Sequence, residues 1–352
     1  MIIKNAKLSN GIFDILVDEG IIKGIGSFEC SDDCLDAKGK RVIPGLIDTH
    51  IHAFGGYDLK NGGLNEISKI LAAEGTTCWL PTTFTDSIEN LVEITGQSLK
   101  TDGAEIAGFH LEGPFISASR KGAQNEDYII NADVKALENV KNIKKISVAP
   151  ENEGVLEFIK KADCLVSIGH TDCTYEQAID AIDCGANCLT HTFNAMSPML
   201  HRAPGPIGAA FERGIYAEVI CDGMHVSPVM VKALYKMFTS DRMILISDAI
   251  SPAGCPDGEY ESGGLKVFVR NGIVTLPDGT LAGGSNSLLY CVKKAVEFGI
   301  DFYEAVKMAT ETPAKSLGLN KGQIKAGFDA DLVILNDDYT VDCTIIGGKR
   351  VN

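Results

Sequence analysis

The chain has 352 residues, 45% of them hydrophobic, which is enough for a sizeable buried core and excludes a disordered or collagen-like protein. Its 32 Lys and Arg residues against 47 Asp and Glu residues give a net charge of −15, which argues against non-specific nucleic-acid binding. We therefore expect any anionic ligand to be held by a few local donors rather than by the overall charge of the protein.

The first twenty residues contain no basic segment followed by an apolar one. No apolar run approaches the roughly 18–20 residues that a membrane-spanning helix needs. We expect a cytoplasmic protein with no membrane partner. Its eleven cysteines, which include the close pair Cys30 and Cys34, are expected to be reduced thiols, many of them in the core.

Short apolar, β-branched runs recur along the chain, each followed by polar or glycine residues and then by a helical pattern. They predict eight strands: Val42–Ile47, Thr76–Leu80, Ile106–Leu111, Ile146–Val148, Leu165–Ile168, Asn187–Thr190, Ala217–Ile220 and Met243–Ile246. Between them, residues 64–74 show a helical apolar face, and Thr174 and Ser227 are predicted N-caps. Eight strand–helix units indicate an α/β fold, a (β/α)8 barrel with its chemistry at the C-terminal ends of the strands.

The two ends of the chain have a different pattern, with short strands, glycine turns and no helix signal. We predict that residues 1–43 and 322–352 form one small β-sandwich domain and that residues 44–321 form the catalytic barrel. After the eighth strand, Asn271-Gly272 between two apolar runs predicts a hairpin with a type I′ turn, a possible lid.

The sharpest local signal is the pair His50 and His52, because residues two apart on a strand point to the same side. Glu112, His170 and His191 also lie at the ends of predicted strands. Taken alone, each histidine is more often a buried or surface side chain. Together, imidazoles and a carboxylate predict a site for one or two divalent ions, with Zn, Fe, Mn and Co all open.

Three further residues stand at or near strand ends. Asp248 follows strand eight and is placed to act as a general base, since a metal ion lowers the pKa of a neighbouring water. Arg202 lies in a loop after strand six, where it is either a clamp for a phosphate or carboxylate or an unpartnered surface residue. His110 lies on the same side of its strand as Glu112 and either supports the site or belongs to the core.

Several of these segments resemble the amidohydrolase superfamily, in particular residues 44–52 (PGLIDTHIH) and 327–335 (GFDADLVIL). Within it, residues 110–115 (HLEGPF), 191–196 (HTFNAM), 222–225 (DGMH) and 247–249 (SDA) resemble the N-acetylglucosamine-6-phosphate deacetylases, in order and over nearly the whole chain.

The resemblance implies metal-dependent removal of acetyl from an amino-sugar phosphate by a homodimer. It makes Glu112, His170 and His191 the ligands of the main ion, His50 and His52 ligands of a second ion, and Asp248 the acid/base. It also implies a sugar-phosphate pocket, with Arg202 able to reach a neighbouring subunit's site. The implied pocket residues are Ala123, Asn194, Ala195, Arg202, Asp222, Gly223, Met224, His225, Leu281, Ala282 and Gly283.

The chain departs from this family at two places. Gln124 stands where the family often has histidine, and residues 284–288 (GSNSL) replace its usual run, so the preferred sugar epimer or acyl group is open. The alternatives are an N-acetylgalactosamine-6-phosphate deacetylase, a cyclic-amide hydrolase and a silent scaffold barrel. The cyclic-amide alternative is disfavoured, because we predict no lysine at the end of strand four to bridge two metals.

Overall fold

The computed structural model describes residues 1–29, 33–60 and 62–352. Its strands form three sheets, of which the largest is a parallel sheet that contains all eight predicted barrel strands in sequence order. In the described chain this barrel consists of Leu46–Ile51, Thr76–Thr83, Phe109–Glu112, Ile143–Val148, Leu165–Ile168, Cys188–Leu189, Tyr216–Ile220 and Met243–Ile246, with Glu105–Ile106 paired to the second strand. We number these eight strands as barrel strands 1 to 8.

The sheet is nearly closed by contacts between the two ends of the series. The backbone N–H of Asp248 donates to the carbonyl of His50 at 2.9 Å, and the N–H of His52 donates to the carbonyl of Ala249 at 2.8 Å. These bonds lie at the C-terminal ends of barrel strands 1 and 8, and they bring the predicted base beside the predicted histidine pair.

The first predicted strand is wrong in its bounds, because residues 42–47 are divided between two sheets. Arg41–Pro44 belongs to a sheet formed by the chain ends, and barrel strand 1 begins at Leu46. Gly45 lies at the division, where an added Cβ would stand 2.0 Å from Oγ1 of Thr77. Pro44 has no N–H to continue a ladder, so the chain changes sheets here.

Both ends of the chain build one eight-stranded sheet, which we call the terminal sheet. Its neighbours run in the order Lys349–Arg350, Val341–Ile346, Leu332–Leu335, Arg41–Pro44, Ile2–Leu8, Gly11–Asp18 and Ile21–Gly26, and Cys34–Asp36 pairs with Ile2–Leu8. Buried aliphatic residues such as Ile3, Ile15 and Leu332 form a core of its own. The predicted fold class, a barrel with a small β unit made from both termini, is confirmed.

A four-stranded antiparallel sheet follows barrel strand 8, and we call it the insert sheet. It consists of Gly258–Ser262, Leu265–Arg270, Ile273–Thr275 and Leu281–Gly283. The predicted hairpin is present, with Asn271 at φ 52° and Gly272 at φ 72°, as a type I′ turn requires. The N–H of Gly284 donates to the carbonyl of Asp248 at 2.7 Å, so this sheet is anchored at the predicted base.

Helices alternate with the barrel strands, as the sequence pattern predicts. Within the described residues they are Leu64–Ala73, Ile88–Thr95, Val155–Ile159, Tyr175–Asp183, Gly205–Arg213, Pro228–Arg242, Leu288–Glu297, Phe302–Met308 and Glu311–Leu317, with 3₁₀ turns at Ala118–Arg120, Glu126–Tyr128 and Val134–Leu137. Thr174 and Gln177 form the predicted capping box, and Ser227 precedes a proline at the first helical turn. Among these helices, none combines the length and apolar character that crossing a bilayer demands.

The cysteines are mostly free thiols, as expected. Nine of them, from Cys78 to Cys343, are free, and six of these nine are buried. Cys34 is disulfide-bonded, contrary to the expectation, and Cys30 lies outside the described residues.

Candidate metal centre

The C-terminal ends of four barrel strands bring five potential ligands together. His50 and His52 come from the end of barrel strand 1, Glu112 ends barrel strand 3, and His170 and His191 follow barrel strands 5 and 6. They form two groups that share Glu112: His50 with His52, and His170 with His191. Within each group all ligand atoms lie within 4.8 Å of one another, and all five residues are buried.

The distances show that one carboxylate lies between the two histidine pairs. Oε1 of Glu112 is 3.1 Å from Nε2 of His170 and 2.9 Å from Nε2 of His191. The same oxygen is 3.3 Å from Nε2 of His50, and Oε2 is 3.2 Å from Nε2 of His52. Glu112 is thus placed to contact an ion in either group.

In His52 and His170, the hydrogen-bond partner of Nδ1 determines which ring nitrogen can bind a metal. Nδ1 of His52 lies 3.0 Å from the carbonyl oxygen of Thr82, and Nδ1 of His170 lies 2.8 Å from that of Arg120. A carbonyl oxygen only accepts hydrogen bonds, so each Nδ1 carries the proton and each Nε2 presents a lone pair to the centre. This donor set fits a divalent ion bound by imidazole and carboxylate.

The side chains of the candidate centre form a buried group of interacting charges. Burial opposes protonation of His50, but the carboxylates of Glu112 and Asp248 outweigh it and raise the pKa of His50 to about 10. Burial would raise the pKa of Asp248, but His50 and His52 overcome this and lower it. The pKa of Glu112 is held well below its usual range by His50 and His170, against its burial. Both carboxyl groups are therefore ionised at neutral pH.

Asp248 faces the histidine pair across the mouth of the barrel. Its Oδ1 is 3.2 Å from Nε2 of His50 and 3.3 Å from Nε2 of His52. The Asp248 side chain is 12% exposed, the most of any group in the centre, so it borders the space that a substrate and a water molecule would enter.

Gln124 contacts the shared carboxylate directly. Its Nε2 donates to Oε2 of Glu112 at 2.5 Å, while its Oε1 accepts from the backbone N–H of Thr85 at 2.7 Å. Sequence reasoning noted the unusual residue but not this contact. In this structure the amide therefore orients a candidate metal ligand.

Two aromatic rings flank the centre. His110 is fully buried, with Nε2 2.8 Å from Oγ of Ser147 and its ring edge-on to His50 at 4.5 Å, so it supports the site rather than entering it. Burial and the nearby Lys145 ammonium hold the pKa of His110 well below its usual range. Phe84, which sequence reasoning missed, stacks on His52 with ring centres 4.1 Å apart.

A cavity of about 430 Å³ opens above the centre and contains most of the predicted pocket residues. Glu112, His170, His191, His52 and Asp248 form its floor, and the insert sheet supplies one wall. The predicted pocket residues that line it are Ala123, Asn194, Ala195, His225, Leu281, Ala282 and Gly283. Ser119, Arg120 and Thr280 also line it, and the sequence had not singled them out.

Four predicted pocket residues do not line this cavity. Asp222 and Met224 border a neighbouring cavity, which shares His225 with the first, and Gly223 lies between them in the chain. Asp222 contacts the first cavity only through His225, since its Oδ2 is 2.7 Å from Nδ1 of that ring. Arg202 is exposed and borders a separate cavity of about 370 Å³, so it does not join the centre of its own chain.

Barrel strand 4 starts earlier than predicted and contains a lysine. The strand begins at Ile143, three residues before the predicted start, and includes the fully buried Lys145. The Lys145 ammonium pairs with Glu218 instead of facing the ion groups, so it is not a bridging ligand. The strand end, where Glu151 binds Thr171 and the N–H of Asp172, carries no lysine.

Comparison with known proteins agrees with this geometry. The model of the amidohydrolase family matches residues 41–351, which is most of the chain. The chain belongs to the amidohydrolase family. The match covers the barrel with its two ion groups and extends into the terminal sheet.

Several relatives within the amidohydrolase family are similar over most of their length. The chain is 36% identical to an N-acetylglucosamine-6-phosphate deacetylase of Lysinibacillus sphaericus, covering 90% of this chain and 87% of the relative. It is 37% identical to the enzyme of the same name from Bacillus subtilis, over 88% and 84% of the two chains. An N-acetylgalactosamine-6-phosphate deacetylase of Escherichia coli O157:H7 is 32% identical, over 95% and 93%.

Solved amidohydrolase structures share the whole architecture. N-acetylglucosamine-6-phosphate deacetylase from Thermotoga maritima superposes with a TM-score of 0.91 at 33% identity, covering 100% of this chain and 99% of that one. A variant of the Mycobacterium smegmatis enzyme, solved in complex with N-acetyl-D-glucosamine 6-phosphate, also gives a TM-score of 0.91, at 28% identity over 100% and 99% of the two chains.

Proposed function

We propose that this amidohydrolase hydrolyses the acetamide of N-acetyl-D-glucosamine 6-phosphate to D-glucosamine 6-phosphate and acetate. The observation that carries the proposal is the convergence of Glu112, His170 and His191 beside Asp248 on the floor of a cavity of about 430 Å³. The similarity to deacetylases over nine-tenths of the chain supports the choice of substrate.

The two groups of ligands suit one or two divalent ions, and zinc, iron, manganese and cobalt all accept this donor set. Glu112, His170 and His191 would hold the main ion, and His50 and His52 with Glu112 would hold a second. A bound ion supplies Lewis acidity to the amide carbonyl and to the attacking water.

Asp248 supplies the proton transfers. Its lowered pKa keeps the carboxylate ionised at neutral pH, ready to accept a proton from the attacking water. After the addition, the same carboxyl group delivers the proton to the amine, which is a poor leaving group until it is protonated. Its position 3.2 Å and 3.3 Å from the two histidine Nε2 atoms allows both steps at one place.

His225 is the cationic group that we assign to the phosphate. Burial opposes its protonation, but the Asp222 carboxylate outweighs this and raises the pKa of His225. An imidazolium on the cavity wall attracts a phosphate, and Asn194 and the neighbouring residues would contact the sugar. Anchoring the phosphate orients the amide carbon over the floor of the cavity.

Assembly and location follow from the same proposal. Arg202 lies outside the cavity of its own chain, and exposed apolar side chains at Met199 and Leu200 precede it. We propose a homodimer in which Arg202 reaches the partner's phosphate site. A phosphorylated sugar does not cross membranes unaided, which supports a cytoplasmic location.

A second substrate is favoured by one feature of the chain. Residues 284–288 depart from the deacetylase pattern, and Gly284 is hydrogen-bonded to the backbone of Asp248, directly beside the reacting centre. The acyl group and sugar ring of a substrate would lie near this segment. N-acetylgalactosamine 6-phosphate, the substrate in the name of the Escherichia coli relative, is therefore the second candidate.

The test is acetate release by the purified protein. N-acetylglucosamine 6-phosphate is expected to have the highest kcat/KM in a panel with N-acetylgalactosamine 6-phosphate, unphosphorylated N-acetylglucosamine and dihydroorotate. Chelation should abolish the reaction and a divalent ion should restore it. Full activity after verified metal removal, or a preference for an unphosphorylated compound, would refute the proposal; a preference for the galactosamine compound would select the second candidate.

A further inference from the structure

Beneath the ion groups, the interior of the barrel holds a buried polar cluster. It consists of Thr49 on barrel strand 1, Lys145 on barrel strand 4 and Glu218 on barrel strand 7, each at most 1% exposed. Barrel interiors are usually filled by branched apolar residues. A buried ion pair gives little net stability compared with apolar residues of the same volume, so its presence here needs another reason.

The two oxygens of Glu218 have unequal surroundings. Oε1 accepts hydrogen bonds from the Lys145 ammonium and from the Thr49 hydroxyl, the latter at 2.6 Å. Oε2 is buried and has no hydrogen-bond partner among the residues that the structure describes. One oxygen thus anchors the carboxylate, and the other is left to face a group above it.

The group above it is the ring of His50. Nδ1 of His50 is also buried, and within the described part of the chain it has no hydrogen-bond partner. It lies 3.8 Å from Oε2 of Glu218. The two unpartnered atoms are complementary, because Nε2 of His50 faces the ion group and leaves the proton on Nδ1.

The other three ligand histidines differ in this respect. Nδ1 of His52 and Nδ1 of His170 each face a neutral backbone carbonyl. Nδ1 of His191 has no partner among the described residues. His50 is therefore the one ligand histidine of the described chain whose Nδ1 faces a carboxylate. A carboxylate behind an imidazole makes the ring a more basic metal ligand than a carbonyl does.

We propose that Glu218, anchored by Lys145 and Thr49, is a positioning residue that holds the Nδ1 proton of His50 and strengthens binding of the second ion. Lys145 keeps the buried carboxylate charge-compensated, which is why a lysine stands in barrel strand 4 without facing the ions. The inference rests on the proposed metal centre and assigns Glu218 to one of its two groups.

The test titrates the metal-free protein with Co²⁺ and measures both dissociation constants by competition with a chromogenic chelator. Glu218→Gln is expected to weaken the second ion by about 10–100-fold and to leave the first unchanged. The double variant K145M/E218Q removes both charges, avoids an unpaired buried lysine, and is expected to show the same loss of the second ion. Exposed Glu93→Gln serves as the control and should bind as wild type.

A third comparison assigns the effect to one group of ligands. In a His52→Ala background, which lacks the second group, Glu218→Gln should not change the affinity of the remaining ion. The inference is overturned if E218Q and K145M/E218Q bind each of the two ions as tightly as the wild type does. It is also overturned if the variants weaken both ions by the same factor. A wild-type protein that takes up only one Co²⁺ also overturns it, while the deacetylase proposal is decided separately by the substrate panel.

Discussion

At the scale of single residues, the backbone is unusual at three residues of the proposed site. His170, His191 and Asp248 have φ values of 47°, 29° and 49°, in the left-handed region that non-glycine residues rarely adopt. Such conformations cost of order 1–3 kcal/mol each and persist where the surrounding structure enforces them. Each is the second residue after the end of its barrel strand, where this turn of the chain aims the side chain across the barrel mouth.

Asp248→Asn tests the proposed acid/base. Asparagine tolerates a positive φ and keeps the size of the side chain, so the fold and bound metal are expected to be retained. Without a group that can accept and return a proton, kcat should fall by about 10²–10⁴-fold. Metal content and kcat measured on the same sample separate the two effects, and undiminished turnover would remove Asp248 from this role.

Asp222→Asn tests the charge on His225. The Asn carbonyl can still accept from the backbone N–H groups of Met224 and His225, which Asp222 Oδ1 binds at 2.8 and 2.9 Å. Loss of the carboxylate removes what raises the pKa of His225, so the imidazolium deprotonates at lower pH than in wild type.

We expect KM for the phosphorylated substrate to rise by about tenfold at neutral pH, since a hydrogen bond to a charged group is worth ~1.5–3 kcal/mol. As the pH is raised, KM should begin to increase at a lower pH in the Asp222→Asn variant than in the wild type. KM for the unphosphorylated sugar is the control and should not follow this pH profile. A KM profile identical to wild type would contradict the assignment of His225.

At the scale of elements, the strand ends carry the chemistry and the following helices hold the connecting turns in place. Helix Tyr175–Asp183 begins five residues after His170, where the backbone bends at the end of barrel strand 5. Thr174 caps this helix, accepting from the N–H of Gln177, whose side chain accepts from the N–H of Thr174. The sequence pattern alone was sufficient to predict this cap, because both partners lie within one turn.

Thr174→Ala should destabilise the protein by about 0.5–2 kcal/mol, because the first turn of the helix loses its hydroxyl acceptor. Urea unfolding measures the loss, and Thr174→Ser, which keeps the hydroxyl, should be close to wild type. Equal stability of the alanine variant would show that the capping box contributes nothing here.

At the scale of the whole molecule, one buried lysine joins the strand beside barrel strand 2 to the chain that enters the terminal sheet at Leu332. The Lys321 ammonium is 2.8 Å from Asp331, 3.1 Å from Asp329 and 2.8 Å from Glu105, which lies in the strand paired to barrel strand 2. Burial disfavours its charge, but Asp331 and the other carboxylates outweigh burial and raise the pKa of Lys321. The stabilisation that Lys321 gives the folded protein is fully present below the pKa that lysine has in the unfolded chain. It is lost only as the pH rises through the raised pKa of Lys321 in the folded protein.

Lys321→Met leaves the buried Asp331 carboxylate unpaired and should cost about 3–5 kcal/mol. Urea unfolding at neutral pH checks this, with exposed Lys23→Met as the matched control, expected within about 0.5 kcal/mol of wild type. A loss no greater than that of the control would show that the three carboxylates do not depend on Lys321.

The sequence by itself determined the order of the barrel strands, the polar residues at their ends and the capping box. These depend on periodicity and on neighbours a few positions away, and parallel strands bring their C-terminal ends to one rim. Alternation alone placed His50 and His52 on one side of a strand. The family resemblance and the spacing together indicated the proposed ligands, which the structure brings into two groups with ligand atoms within 4.8 Å of one another in each group.

Only the tertiary structure decided which side chains from distant strands face each other. The pairing of Lys145 with Glu218, the contact of Gln124 with Glu112 and the position of Arg202 outside the cavity depend on how the barrel closes. The division of the first predicted strand at Gly45 depends on the approach of Thr77 from the next strand. Such contacts join residues far apart in the chain, 73 positions for Lys145 and Glu218 and 169 for Thr49 and Glu218, so no local pattern records them.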